Sequence, residues 1–246
     1  MNKETHPLLT LPSAIVIAAV LIAAAIVWSQ KPIATNEQTN KQEAPKLILK
    51  PVTSDDHIFG NPNAPVKIVE YSDTACPFCK TFHPTMEKIM SEYGPSGKVA
   101  WVYRHFPLDK PRSDGFVLHP NAGNEAEALE CADALGGNDA FWKYTNRLYE
   151  ITPSVTSATP DGLDQKQLPE IAKFAGLDAV SFNECLTSDR FDQKVEDQYL
   201  SGVNAGISGT PYSLAVSSTG KQIPINGAQP YANVKAIIDS LLIETK

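Results

Sequence analysis

The sequence lacks a basic surplus: 21 lysines and arginines stand against 28 aspartates and glutamates, a formal net charge of −7 over 246 residues. Nucleic-acid binding draws on a basic face that releases counterions, so the acid balance argues against a phosphate-tracking protein. Neither GxxxxGKS/T nor GxGxxG occurs, and the usual nucleotide cradles are therefore absent. No internal repeat is visible, and there are only four cysteines. With 42% hydrophobic and 8% aromatic residues, the composition fits neither a disordered nor a collagen-like chain. The length is ample for a buried core.

Long apolar runs are also missing, with one exception. Ala14 to Trp28 is unbroken, and Leu8, Leu9 and Leu11 extend it to the roughly 20 residues that a bilayer core requires. A cleaved signal peptide is the rival, since Ala23 and Ala25 resemble a small-residue cleavage site. They lie inside the run, and Trp28 suits an interface, so residues 1–28 are read as an uncleaved anchor in preference to a signal. Residues 29–54 follow as a tether, because SQKPIATNEQTNKQEAP has too little apolar surface to offset its ordering entropy.

After the tether, Val66 to Tyr71 reads as a strand and runs into Cys76-Pro77-Phe78-Cys79. Phe78, Phe82, Met86, Ile89, Met90 and Tyr93 then keep helical spacing, ended by Gly94-Pro95. Val99 to Phe106 is a second strand. Helices are expected over Glu125–Leu135, Asp139–Glu150, Gln165–Ala175, Ala179–Leu186 and Phe191–Val203, with a proline-containing break from Thr152 to Gly162. Tyr212–Ser217 and Lys221–Ile225 read as strands around a Ser218-Thr219-Gly220 turn. A closing helix carries Tyr231, Val234, Ile237, Ile238, Leu241 and Leu242 on one face. The order βαβ, helical block, ββα predicts an α/β domain at 55–120 and 206–246, interrupted by a helical insertion at 121–205.

A strand leading into C-x-x-C at the head of a helix suits a redox pair. Cys76 falls at the helix N-terminus, where free N–H groups and the helix dipole favour a thiolate. Pro77 fits the first turn, where its missing N–H has no partner to lose. Cys79, one turn inside, is the less accessible thiol. The spacing thus predicts Cys76 as nucleophile and Cys79 as resolving thiol. Glu70 shares the pleat face of Val66 and Ile68, which leaves two readings: a buried proton acceptor for the inner thiol, or a strand-end acid turned to solvent. Zinc needs four ligands in close pairs. Cys131 and Cys185 are isolated, His83 is the only nearby imidazole, and no histidine opens an H-x-E, so no metal is assigned. Asp161 and Asp164 lack the spacing of a calcium loop. His105, beside Arg104, is weighed as a site neighbour and read as structural, and Trp101 and Trp142 are read as core.

GNPNAPVKIVEYSD before CPFC, then VYRHFPL, then Gly209-Thr210-Pro211, then Gly227-Ala228-Gln229-Pro230-Tyr231 occur in this order. On these words the sequence resembles the thioredoxin superfamily, more closely the membrane-anchored DsbA-like thiol:disulfide oxidoreductases. The resemblance covers about Asp55 to Ile243. It implies a thioredoxin fold with a helical domain inserted between its βαβ and ββα halves, preceded by a transmembrane helix. It also implies Cys76 as the attacking cysteine, Cys79 as its partner, Glu70 as the family's buried acid, and a cis proline at Thr210-Pro211 facing the pair. Pro77 and Phe78 complete the substrate-binding set. Without the resemblance, Pro211 is a residue opening an edge strand. Phe78 departs from the histidine of the best-known members, and Tyr212-Ser213-Leu214 is more polar than the usual aromatic pair.

In an exported protein the remaining Cys131 and Cys185 most simply form a structural disulfide, the alternative being two buried thiols. The function expected is a cofactor-free, monomeric, membrane-tethered dithiol oxidase with its catalytic domain outside the cytoplasm. It would act on reduced, unfolded exported proteins and be reoxidised by a membrane quinone-linked partner. Isomerase, reductase and non-catalytic peptide-binding holdase are the alternatives.

Overall fold

A computed structural model describes residues 49–153 and 162–244. The expected anchor, most of the tether and much of the Thr152–Gly162 loop, Asp161 included, lie outside these residues. Among the described residues no helix is long and apolar enough to cross a membrane.

The sheet has five strands: β1 (His57–Gly60), β2 (Val66–Ser72), β3 (Val99–His105), β4 (Tyr212–Ser217) and β5 (Gln222–Asn226), in the order β1-β3-β2-β4-β5. Only β2 and β3 are parallel, and the helix α1 (Pro77–Tyr93) makes the crossover between them. The other pairs are antiparallel. In β2 only Lys67 escapes full burial, because a central strand covered on both faces reads as a near-continuous apolar run. Val66 and Ile68 pack under α1 and the closing helix α6 (Tyr231–Glu244), with Phe82, Met86, Trp101, Ile238 and Leu241. Val69 and Tyr71 point to the other face, against Val102, Phe106 and Ile207.

The insertion begins with α2 (Ala122–Ile151) and continues through a 3-10 turn (Gln165–Gln167) into α3 (Leu168–Phe174), α4 (Ala179–Leu186) and α5 (Asp192–Asn204). The sequence predicts two helices where α2 runs; Gly137, at φ +72°, breaks the helix between them. A side chain there would be strained. Asp164 caps the 3-10 turn by accepting from the Lys166 N–H.

Two expectations need correction. β1 was not read from the sequence at all, since four residues ending in Gly60 carry no alternation to detect. Pro211 does not open an edge strand, because β4 lies between β2 and β5. Its missing N–H is accommodated just before the ladder begins at Tyr212.

Candidate active site

β2 delivers the chain to a tight turn in which Asp73 accepts from the Ala75 N–H (2.8 Å) and the Cys76 N–H reaches the Asp73 carbonyl (3.1 Å). Cys76 is thereby fixed as the N-cap of α1, with Pro77 in the first turn. Cys76 is 4% exposed and Cys79 0%, so the outer thiol is only narrowly accessible rather than openly exposed. Both are free thiols. Pro77 is exposed and Phe78 is 64% exposed beside them.

From the other end of the fold, Thr210-Pro211 arrives with a cis peptide bond. The Cys76 thiol donates to the Thr210 carbonyl oxygen at 3.5 Å. Cys76, Cys79, Thr210 and Pro211, predicted from separate stretches, therefore frame one site.

The two thiols are driven apart in acidity. A hydrogen bond from the Cys79 thiol lowers Cys76 to about 6, against the opposing push of burial, and Thr210 and the Cys79 backbone N–H add smaller help. Burial first, then the neighbouring Cys76 and the Glu70 and Asp73 carboxylates, raises Cys79 well above an ordinary thiol. One cysteine is thus a thiolate near neutral pH and the other holds its proton, which is the asymmetry that disulfide exchange requires.

Of the two readings of Glu70, the structure places the side chain inward: it is 1% exposed and accepts from Trp101 Nε1 at 2.8 Å. Burial raises it to about 7, so it exchanges protons in the range where the pair works. Trp101 is core, as its pattern predicts, and also holds this carboxylate. Trp142 is buried as well.

Asp73 is the residue that sequence reasoning missed. Its backbone N–H points at Cys79 Sγ (3.4 Å), and its carboxylate accepts from the Leu108 N–H (2.9 Å) and pairs with His119 Nδ1 (2.8 Å). Despite the opposing effect of burial, that bond raises His119 above an ordinary imidazole. An aspartate three positions before the first cysteine was the available signal for a turn; nothing in the sequence links it to His119.

The other candidates lie elsewhere. His83 is bonded to Asn146 Oδ1 (2.9 Å) and lowered to about 4 by burial. His105 turns to Glu130, and Arg104 to Asp56. Cys131 and Cys185 are joined as a disulfide between α2 and α4, Cα to Cα 5.8 Å.

The buried Glu70 carries a pH signature. Its folded value lies above the unfolded one, so stability is fully present below about 4.5 and is lost as pH rises through about 7. That shift corresponds to roughly 3 kcal/mol at most. Glu125, also raised to about 7 by burial, acts with the same sign, so Glu70→Gln is expected to remove only Glu70's share. In urea unfolding, the variant should gain stability over the parent between pH 5 and pH 8. An equal difference at both pH values would show that Glu70 is not a raised acid.

A family model described as thioredoxin matches residues 52–240. BdbD from Bacillus subtilis superposes with a TM-score of 0.66 at 22% identity, over 80% of this chain and 98% of that one. A putative protein-disulfide oxidoreductase of Rickettsia felis is 24% identical over 65% of this chain and 52% of its own length. The Na(+)/H(+) antiporter NhaA 1 of Mycolicibacterium gilvum is 31% identical over 69% of this chain. The chain spans about a quarter of the length of that antiporter. With a C-x-x-C at the head of α1, a cis proline against it and helices inserted between the two halves of the sheet, the chain belongs to the thioredoxin family.

Proposed function

We propose that this protein is a thiol:disulfide oxidoreductase that introduces disulfides into exported proteins, tethered by residues 1–28 with its catalytic domain outside the cytoplasm. The observation that carries the reading is Cys76 at the N-cap of α1 with its thiol 3.5 Å from the Thr210 carbonyl of the cis Thr210-Pro211 bond, and Cys79 fully buried behind it. In the oxidised enzyme a substrate thiolate attacks Cys76 Sγ, the Cys76–Cys79 bond breaks, and Cys79 leaves with the electron pair. Cys79 then takes a proton, which the buried Glu70 carboxyl, raised to about 7 by burial, would supply. A second substrate thiolate attacks the substrate sulfur of the mixed disulfide and releases Cys76 as a thiolate. Two substrate thiols become one disulfide, and the enzyme's disulfide becomes a dithiol. A membrane quinone-linked partner takes those two electrons away.

A low Cys76 value stabilises the reduced form, so the disulfide is the stronger oxidant. Oxidation of reduced ribonuclease together with glutathione equilibration tests this. A potential nearer −120 mV than about −270 mV supports the oxidase, and one at the thioredoxin end makes the protein a reductant.

Phe78 can neither hydrogen-bond the Cys76 thiolate nor offset its charge. Phe78→His is expected to lower the Cys76 pKa and raise the potential by about 30 mV for each tenfold change in equilibrium constant. Thiolate absorbance and glutathione redox titrations read the two separately. If neither moves, the dipeptide does not tune this site.

A further inference from the structure

We propose that His57, His105 and Glu130 form a binding site for a divalent transition-metal ion of the zinc class, separate from the cysteine pair. His57 stands opposite Tyr103 in the β1–β3 ladder, so His105, two positions further along β3, shares its face. α2 crosses that face and supplies Glu130. His57 Nε2 lies 2.9 Å and His105 Nε2 3.0 Å from the same oxygen, Glu130 Oε1. The three residues are 3%, 1% and 0% exposed, and their ligand atoms all lie within 4.8 Å of one another. Tetrahedral zinc, at its usual bond lengths, spaces its ligand atoms by about 3.3 Å. A few tenths of an ångström opens the two nitrogen–oxygen sides to that size.

The surroundings favour a metal in three ways. Lys194 Nζ takes the other carboxylate oxygen, Oε2, at 2.6 Å, leaving Oε1 to coordinate alone. The His57 ring is stacked on Phe141 at 3.6 Å and 10°, which fixes its direction. Its second nitrogen, Nδ1, faces Asp133 Oδ1 at 3.7 Å. A carboxylate behind a histidine is the arrangement that orients a metal ligand, with the proton on the outer nitrogen and the lone pair turned inward. A polar cleft of about 1000 Å³, lined by His57, Asp133, Asn138 and Lys194 with Asp55 and Asp197 nearby, gives the ion an entrance. Water from the cleft supplies the fourth position. The ion would join two strands of the sheet to the helical insertion.

The test uses the full chain with both disulfides closed, so that no thiolate competes, titrated with cobalt(II) and then zinc(II). One cobalt per chain is expected, with visible absorption of a nitrogen- and oxygen-ligated ion, displaced by zinc and accompanied by a higher thermal midpoint. His57→Gln and His105→Gln should lose the absorption, and Asp133→Asn should weaken binding by about 10- to 100-fold. No uptake at about millimolar cobalt overturns the site and leaves His57, His105 and Glu130 as a hydrogen-bonded cluster. Uptake of unchanged affinity in the variants overturns it too. Should the histidine variants fail to fold, the partly exposed Asp133 decides: a loss of at least tenfold upholds the site, and an unchanged affinity removes it.

Discussion

Cys76→Ser is expected to reduce thiol exchange to the uncatalysed rate, whereas Cys79→Ser is expected to accumulate substrates as mixed disulfides on Cys76. The asymmetry follows from access and acidity together. Cys79 has no exposed surface, and its raised pKa keeps it protonated, so with Cys76 gone no sulfur is left that a substrate can reach. With Cys79 gone, Cys76 can still exchange, but the inner thiol that returns the attack is missing. A serine hydroxyl can still donate to Cys76 where the Cys79 thiol did, so the Cys76 pKa should stay well below that of a free thiol, about 8.5. Non-reducing gels after reaction with a reduced substrate, with thiolate absorbance alongside, measure both effects. Trapping by Cys76→Ser instead of Cys79→Ser would reverse the assigned roles.

Removing the Cys131–Cys185 link, as the double alanine variant, is expected to destabilise the domain by about 4 kcal/mol, the chain-entropy value for a loop of this length. The bridge spans 54 positions and ties α4 to α2, beside the stack of Tyr144 on Phe182 (centroids 5.4 Å). Because neither sulfur reaches Cys76, turnover per folded molecule should be unchanged. Urea unfolding and an exchange assay at low urea separate the two effects. A stability loss below about 1 kcal/mol would mean that the helical packing alone holds α4 in place.

The fold was legible in the sequence wherever burial writes a period. The apolar face of α1 and the single face of α6 have one, the continuous run of β2 marks a strand covered on both faces, and all three elements are found, though Phe78, counted in the face of α1, stands 64% exposed. β1 has none, since it is short and owes its place to pairing with β3. The break in α2 was legible as two helices, because Gly136-Gly137 stops the pattern, and Gly137 leaves the helical conformation at a kink there. In the site, spacing along one element suffices for Cys76 and Cys79, whereas for Glu70 it left an inward and a solvent-facing reading open, and burial decides for the inward one. Spacing fails for Asp73 with His119, and for His57, His105 and Glu130, which come from segments that only the tertiary fold brings together. A short-range pattern cannot encode such meetings.

Cys76 and Thr210 touch across 134 positions of chain, and that separation has a kinetic cost. Contacts so distant in sequence must be reached against loop-closure entropy, and they form late. Synthesis from the N-terminus also delivers Cys76, Cys79 and Cys131 while Cys185 is still unmade, so the native partner of Cys131 is missing at that stage. Any bond between Cys131 and the C-x-x-C at that stage is non-native. The growing chain therefore exposes unpaired thiols of the kind that the proposed exchange chemistry acts on.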